Sequence, residues 1–299
     1  MRIKANHSKT FVILGSIQTM LLWAICYPLI SLSLPYAPIM LTAFLRAVIA
    51  GSLLIFIAIL LKRPVPKTLD TYAYLLTIGI TATSIGFWGM FYAGSLITPG
   101  LATVLANTQP LIAGLLGWYI LNERLGKRAL LGTLLGFSGI VVISAESLFA
   151  TDVQSLSGMA YVVIAAAGLA ISNILLKKSA NHIDVLYAMG FQLLLGAIPL
   201  SLLALFNTTP QPLTWSWDYV WILLTLALPG TALPVILWFW LMNKSPLYKL
   251  NVYSFLTPVF GLYLGYTYFS ESLSLTQWLG VFLVIAAIPL VNSSTKRNV

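Results

Sequence analysis

Ten apolar runs, each long enough to cross a bilayer, follow one another along this chain with only short polar breaks between them. A helix crosses the hydrocarbon core of a membrane in about 20 apolar residues, or a few more when it tilts. Lipid offers no water to exposed backbone groups, so runs of this kind fold as helices. They read as spans over 11–32, 36–61, 70–92, 98–121, 127–146, 156–177, 184–206, 217–243, 247–270 and 274–293. Helix-stopping residues lie between them: Leu34-Pro35-Tyr36, Arg63-Pro64-Val65-Pro66, Thr98-Pro99-Gly100, Thr209-Pro210-Gln211-Pro212 and Ser245-Pro246. Of the 299 residues, 8% are charged and 59% apolar, whereas a soluble domain carries about 25% charged residues. So few charges cannot clothe a water-soluble surface. That excludes a cytosolic enzyme, a secreted domain and a disordered regulator, and the loops are too short to hold a soluble domain. The expected fold is an all-α integral membrane protein of ten transmembrane helices.

The basic residues orient these helices. Arg2, Lys4 and Lys9 precede the first span, Lys62, Arg63 and Lys67 follow the second, and Arg124, Lys127 and Arg128 follow the fourth. Lys177 and Lys178, Lys244 and Lys249, and Lys296 and Arg297 mark the ends of the sixth, eighth and tenth. Arg46 is left over from the chain's 16 Lys and Arg, and the intervening loops, near 33–36, 93–97, 147–155, 207–216 and 271–273, hold none. Positive charge resists translocation, so both termini are expected in the cytoplasm. The same rule accounts for the net charge of +9, which in a soluble protein would point to nucleic acid; no nucleic-acid partner is expected. The start resembles a signal peptide, but its apolar run is too long and lacks a clear small-x-small cleavage site before Pro28, so it counts as a span. The single cysteine, Cys26, lies inside an apolar run and excludes an intrachain disulfide.

A repeat divides the chain. At an offset of 148, Pro110 to Gly117 aligns without a gap on Pro258 to Gly265; Glu123 meets Glu271, Leu125 meets Leu273 and Gly132 meets Gly280. Upstream, Phe91 meets Phe239 and Val104 meets Val252. Residues 1–150 and 151–299 are therefore expected to form two five-helix repeats. Five is odd, so the second must enter the membrane inverted. The loop after Glu123 carries Arg124, Lys127 and Arg128, and the loop after Glu271 carries no Lys or Arg, as inversion requires. Secondary transporters are built in this way, with the solute site between halves that rock against each other.

These residues resemble a known family. Tyr92-Ala93 followed by Pro110, Glu123, Gly132 and Gly139, and Leu237-Trp238-Phe239 followed by Leu256-Thr257-Pro258, Glu271 and Gly280, look like the two half-signatures of the drug/metabolite transporter superfamily, specifically its EamA-type bacterial members. Trp23 and Phe44-Leu45-Arg46-Ala47 fit as well, and the resemblance covers about residues 11–293. It implies export or facilitated passage of small metabolites such as amino acids through a cavity between the halves, in a bacterial cytoplasmic (inner) membrane. One departure is evident: the second-half position equivalent to Arg46, near Phe191 and Gln192, holds no basic residue. No cofactor or metal is called for, and a monomer or weak homodimer is expected.

Arg46 lies about ten residues into the second span, roughly 15 Å deep at 1.5 Å per residue, close to the midplane. A charge there costs at least about 2.5–3.5 kcal/mol, so it must face the interior and a partner. Two readings stand: a contact for a substrate carboxylate, or a structural arginine bonded to carbonyls exposed where a neighbouring helix bends. Trp23 and Tyr27, and Trp88 and Tyr92, are spaced four apart and so share a helix face. Each pair is a candidate cavity wall, with ordinary helix packing as the alternative. Gln109 and Asn173 are the candidate polar contacts among the in-span amides Gln18, Asn107, Gln109, Asn173, Gln192 and Asn251, which could instead bond between helices. Pro110 and Pro258, read as mid-helix, are candidate hinges. The pairs Gly132/Gly136 and Gly261/Gly265 suit close helix packing, while Trp215, Trp217, Trp221 and Trp278 suit interfacial anchors. Glu123 and Glu271 suit caps at helix ends.

No acidic residue reaches midplane depth and both histidines, His7 and His182, lie in cytoplasmic segments, so proton coupling finds no support. An intramembrane enzyme would need a nucleophile with a base, a metal-ligand set or a phosphate loop at depth, and the sequence holds none. A channel would show a filter loop or charged rings. A lipid or drug flippase on the same architecture stays open as the alternative to a metabolite carrier.

Overall fold

The structure, a computed structural model, describes residues 2–97, 102, 105–123, 126–143, 145, 153–179, 182–206, 213–269 and 274–292. Among the described residues every regular element is helical. The first helices are α1 (Arg2–Ala24), α2 (Cys26–Ser33), α3 (Ile39–Leu60), α4 (Leu69–Gly79) and α5 (Gly86–Leu96). After them come α6 (Gln109–Ile120), α7 (Lys127–Ile143), α8 (Val153–Ser179) and α9 (Val185–Phe206). The chain continues with α10 (Trp217–Ala227), α11 (Leu233–Met242), α12 (Leu247–Asn251), α13 (Leu256–Phe269) and α14 (Leu275–Asn292).

Seven helical stretches among the described residues are long and apolar enough to cross a membrane: Thr10–Ser33, Ile39–Leu60, Leu69–Leu96, Leu156–Ser179, Val185–Phe206, Trp217–Met242 and Leu275–Asn292. Each coincides with an expected span. The other three expected spans hold shorter pieces. The fourth is interrupted by a turn at Asn107-Thr108, the fifth is represented by α7, and the ninth is split by a 3-10 turn, Val252–Phe255, between α12 and α13. Large apolar side chains such as Leu115, Leu131, Leu205 and Phe282 are exposed on the outside, an apolar surface that only lipid can cover. Trp215, Trp217, Trp221 and Trp278 are all exposed near helix ends.

Proline accounts for the first break. Pro28 has no N–H to give the carbonyl four residues back, and its ring crowds that turn, which parts α1 from α2 at Ile25. Two longer helices relax into π-helical turns: Ile80–Ile85 between α4 and α5, and Leu228–Ala232, which contains Pro229, between α10 and α11. Both begin at the same place in the repeat, 148 residues apart. The caps repeat too. Thr68 Oγ1 accepts from Thr71 N at 3.4 Å with Asp70 in the first turn, and Ser216 Oγ accepts from Tyr219 N at 3.2 Å with Asp218 in the first turn. A hydroxyl cap and a carboxylate both satisfy the free N–H groups and positive end of a helix.

Small residues let the helices close up. A Cβ on Gly139 would sit 2.8 Å from Gly280 O, one on Gly132 would strike Val291 of α14, and one on Gly136 would strike Phe255 of the 3-10 turn. Gly261, expected to pack in the same way, has nothing within 4 Å; its face of α13 meets open space, so the small residue there serves no close approach.

The two prolines expected at mid-helix are at helix starts. Pro110 is the second residue of α6, directly after the turn at Asn107-Thr108, and Pro258 is the third residue of α13, directly after the 3-10 turn. In the first turn of a helix the missing N–H leaves no bond unmade, so each proline opens a new segment rather than bending an unbroken one.

Glu123 and Lys177 brace one loop from two sides. Glu123 Oε1 and Oε2 accept from the backbone N–H groups of Leu247 (3.1 Å) and Tyr248 (3.3 Å), capping α12 from a distant part of the chain. Lys177 Nζ donates to Met242 O and to Ser245 O (2.6 Å) at the carbonyl end of α11, where a cation is favoured by the helix dipole. Replacing Glu123 with Ala is expected to cost about 0.5–2 kcal/mol, as for other lost caps, read as a lower unfolding temperature of the purified protein. An unchanged melting curve would show that water replaces the carboxylate. Glu271, Arg124 and the 209–212 break lie outside the described residues.

Candidate functional site

One internal cavity of about 190 Å3 lies among the helices. Its wall draws on α1, α2, α3, both π turns, α5, α8, α9 and α11, together with residues around the breaks before α6 and α13. Neighbouring side chains include Met20, Trp23, Phe87, Leu169, Met189 and Trp238; the polar ones include Cys26, Tyr27, Arg46, Gln109, Asn173 and Gln192. Among the described residues, no acidic side chain and no cation other than Arg46 lines it.

The wall follows the repeat. Ala82, Thr83, Phe87 and Met90 have partners 148 residues on, at Gly230, Thr231, Val235 and Trp238, and all eight line the cavity. Met20, Trp23, Cys26 and Tyr27 pair in the same way at an offset of 146 with Ala166, Leu169, Ser172 and Asn173, again all lining. The second and seventh expected spans supply Arg46 and Gln192. Their helices α3 and α9 are each 22 residues long, and each of these side chains is the eighth residue of its helix.

Arg46 is 2% exposed and held on three atoms. Its Nε–H donates to Thr231 Oγ1 at 2.6 Å, and its Nη2 donates to Gly230 O at 3.1 Å and to Cys26 Sγ at 3.3 Å. Thr231 Oγ1 in turn donates to Leu226 O at 2.8 Å. Gly230 belongs to the π turn beside Pro229, where the helix ladder is shifted and a carbonyl is free to receive the guanidinium. The ring of Phe87 lies under the guanidinium carbon at 4.5 Å, within cation–π range. This geometry is the structural arginine of the second sequence reading. It leaves one group over: Nη1 is buried without a partner. Tyr27 OH and Gln192 Oε1, on the same wall, are also buried without partners.

Of the residues singled out in the sequence, Trp23, Tyr27, Arg46, Gln109 and Asn173 line the cavity. Trp88 and Tyr92 do not. They form an aromatic cluster with Tyr161 of α8, at 4.9 Å and 5.3 Å between ring centroids. The reason is rotation: at 100° per residue, α5 turns Phe87 and Met90 to one side, so Trp88 and Tyr92 fall on the helix-packing side. Trp23 meets Trp238 instead, at 5.4 Å between centroids. Asn173 Oδ1 accepts from Trp238 Nε1 at 3.0 Å, so this amide makes an interhelical bond as well as lining the wall. Pro110 and Pro258 stand one residue from the lining residues Gln109 and Thr257, a further pair at offset 148. Several contributors escaped the sequence reading as site residues, among them Cys26, Phe87, Gln192, Thr231 and Trp238. The signal for Gln192 was present: an in-span amide in the repeat position of Arg46.

The sequence profile of the EamA-like transporter family matches residues 10–145 and again residues 156–293. This chain belongs to that family. It is a multi-pass membrane transporter and not an enzyme. An uncharacterized transporter of Bacillus subtilis, YvbV, is 26% identical over 281 residues, covering 93% of this chain and 90% of the relative. A Salmonella typhimurium protein named "probable amino-acid metabolite efflux pump" is 28% identical over 276 residues, with 89% of each chain covered. A crystal structure with 20% sequence identity superposes with a TM-score of 0.78 over 93% of this transporter and 95% of that chain, which shows the shared fold.

Proposed function

We propose that this transporter carries a small organic metabolite bearing a carboxylate, an amino acid or closely related compound, out of the cytoplasm by alternating access. The halves are residues 1–150 and 151–299, inverted relative to each other, with ten spans and both termini in the cytoplasm. The observation that carries the reading is the unpartnered Nη1 of Arg46 beside an apolar cavity that no acidic residue lines among the described residues. A guanidinium fixed by three other bonds is preorganised for an anionic oxygen. Trp23 and the apolar wall would receive the rest of the solute, with Tyr27, Gln109 and Asn173 as polar contacts. Trp88 and Tyr92 would stiffen the wall from behind. The paired breaks before Pro110 and Pro258 are the proposed hinges, because a helix already divided bends there without losing hydrogen bonds. Export is supported by the name of the Salmonella relative.

Size weighs against a lipid or a bulky drug, since about 190 Å3 is below the roughly 300–1,000 Å3 usual for drug-sized ligands. Thermal unfolding of the purified transporter across a panel of metabolites, lipids and cationic drugs tests the proposal. A binding solute at 100 times its Kd adds about 2.7 kcal/mol, a plain shift in melting temperature. Small carboxylates are expected to give it; stabilisation by lipids or cationic drugs alone would refute the proposal.

A further inference from the structure

We infer that the site reads both poles of a neutral zwitterion, with Gln192 Oε1 taking the substrate's ammonium group while Arg46 Nη1 takes its carboxylate. This rests on the carboxylate reading above and goes past it, because Arg46 alone would accept any small organic acid.

The repeat puts Arg46 and Gln192 in equivalent places, each the eighth residue of a 22-residue helix. Each is almost wholly buried, 2% and 3% exposed, and each lines this cavity. Both carry an atom with no protein partner, and the two atoms are opposite in kind: Nη1 can only donate and Oε1 can only accept. An unpaired polar atom in an apolar interior costs free energy, so two such atoms of complementary sense on one cavity wall describe the ligand that would relieve them. That ligand is an anionic acceptor joined to a donor. Tyr27 OH, unpaired on the same wall, can bond to either pole.

Among the described residues the wall carries no carboxylate, and this sets the second half of the specificity. A cation without its own anion would face Arg46 with nothing to balance it, so simple amines are excluded. An acid without an ammonium satisfies Arg46 but leaves Gln192 Oε1 dry and unpaired. The apolar remainder of the wall favours an uncharged side chain.

The test needs no folded variant in its first arm. L-leucine and L-phenylalanine are compared with their des-amino acids, 4-methylpentanoate and 3-phenylpropanoate, and with their decarboxylated amines, 3-methylbutylamine and 2-phenylethylamine. Each is measured as inhibition of radiolabelled amino-acid flux in proteoliposomes and as thermal stabilisation of the purified protein. The amino acids are expected to bind about 10- to 100-fold more tightly than the des-amino acids, the value of one hydrogen bond to a charged group, and the amines are expected not to bind. Gln192→Leu should bring amino acid and des-amino acid to equal affinity, and Gln192→Asn should restore part of the difference. Des-amino acids binding as well as amino acids in the unmutated protein would overturn the role of Gln192 and leave the carboxylate reading intact. Binding by none of the carboxylate-bearing compounds would overturn both.

Discussion

Replacing Arg46 with Gln is expected to abolish flux while leaving membrane insertion intact. Its Nη1 is the proposed substrate contact, and a hydrogen bond to a charged group is worth about 1.5–3 kcal/mol, up to about 100-fold in rate or affinity. The loss does not stop there, because Arg46 also holds Thr231, Gly230 and Cys26 together at the π turn of the eighth span. Gln has one amide where Arg has a five-donor fork, so it cannot hold the turn and offer a free donor at once. Arg46→Lys keeps the charge but only as a point, without the fork geometry; it is expected to insert and to retain no more than a small fraction of flux. Transport assays on both variants, with surface labelling to confirm insertion, separate charge from shape. Unchanged flux by Arg46→Gln would remove the arginine from the site and take the carboxylate reading with it.

A methyl group added to Gly79 should lower stability more than any surface change. The added Cβ would stand 2.5 Å from Gln192 O and 2.9 Å from Gly196 N, both backbone atoms that cannot swing aside. Gly196 is in the mirrored bind, its Cβ 2.4 Å from Gly79 O. Overpacking typically costs about 1–3 kcal/mol, and here the contact is backbone on backbone, so the upper end is expected. Gly261→Ala is the control. Nothing lies within 4 Å of it, and alanine at a compatible helical glycine stabilises by about 0.4–1 kcal/mol. Melting curves of the two variants should move in opposite directions. Parallel shifts would mean that α4 and α9 do not touch as described.

Much of the framework was legible because hydropathy is a strong signal: the seven long helices coincide with expected spans. The two-repeat reading rests on Pro110/Pro258 and Gly132/Gly280, pairs that share one offset in the sequence. What escaped was local. The break at Ile25 and the π turns lie inside stretches read as single spans, where hydropathy marks the span and not a shift in backbone bonding. The direction of Trp88 and Tyr92 escaped because Phe87, Trp88, Phe91 and Tyr92 leave α5 with no polar face from which to take a bearing. For Arg46 the sequence offered two roles as alternatives, yet the side chain has enough donors to fix a bend with three bonds and keep one group in reserve.

The π turns bear on how such a chain can tolerate insertion and deletion. A π turn accommodates one more residue than the α-helical turn it replaces, so removing a residue within Leu228–Ala232 would allow an uninterrupted helix to form. Because the wider turn absorbs that residue, its loss would leave Val235 and Trp238 near the wall they share with Phe87 and Met90, and would take away the turn that presents Gly230 and Thr231 to Arg46. A residue lost from the regular helix beyond it would instead rotate everything downstream by about 100°. A lineage that straightened one half alone would keep its spans and its topology, and lose the seat of its buried arginine.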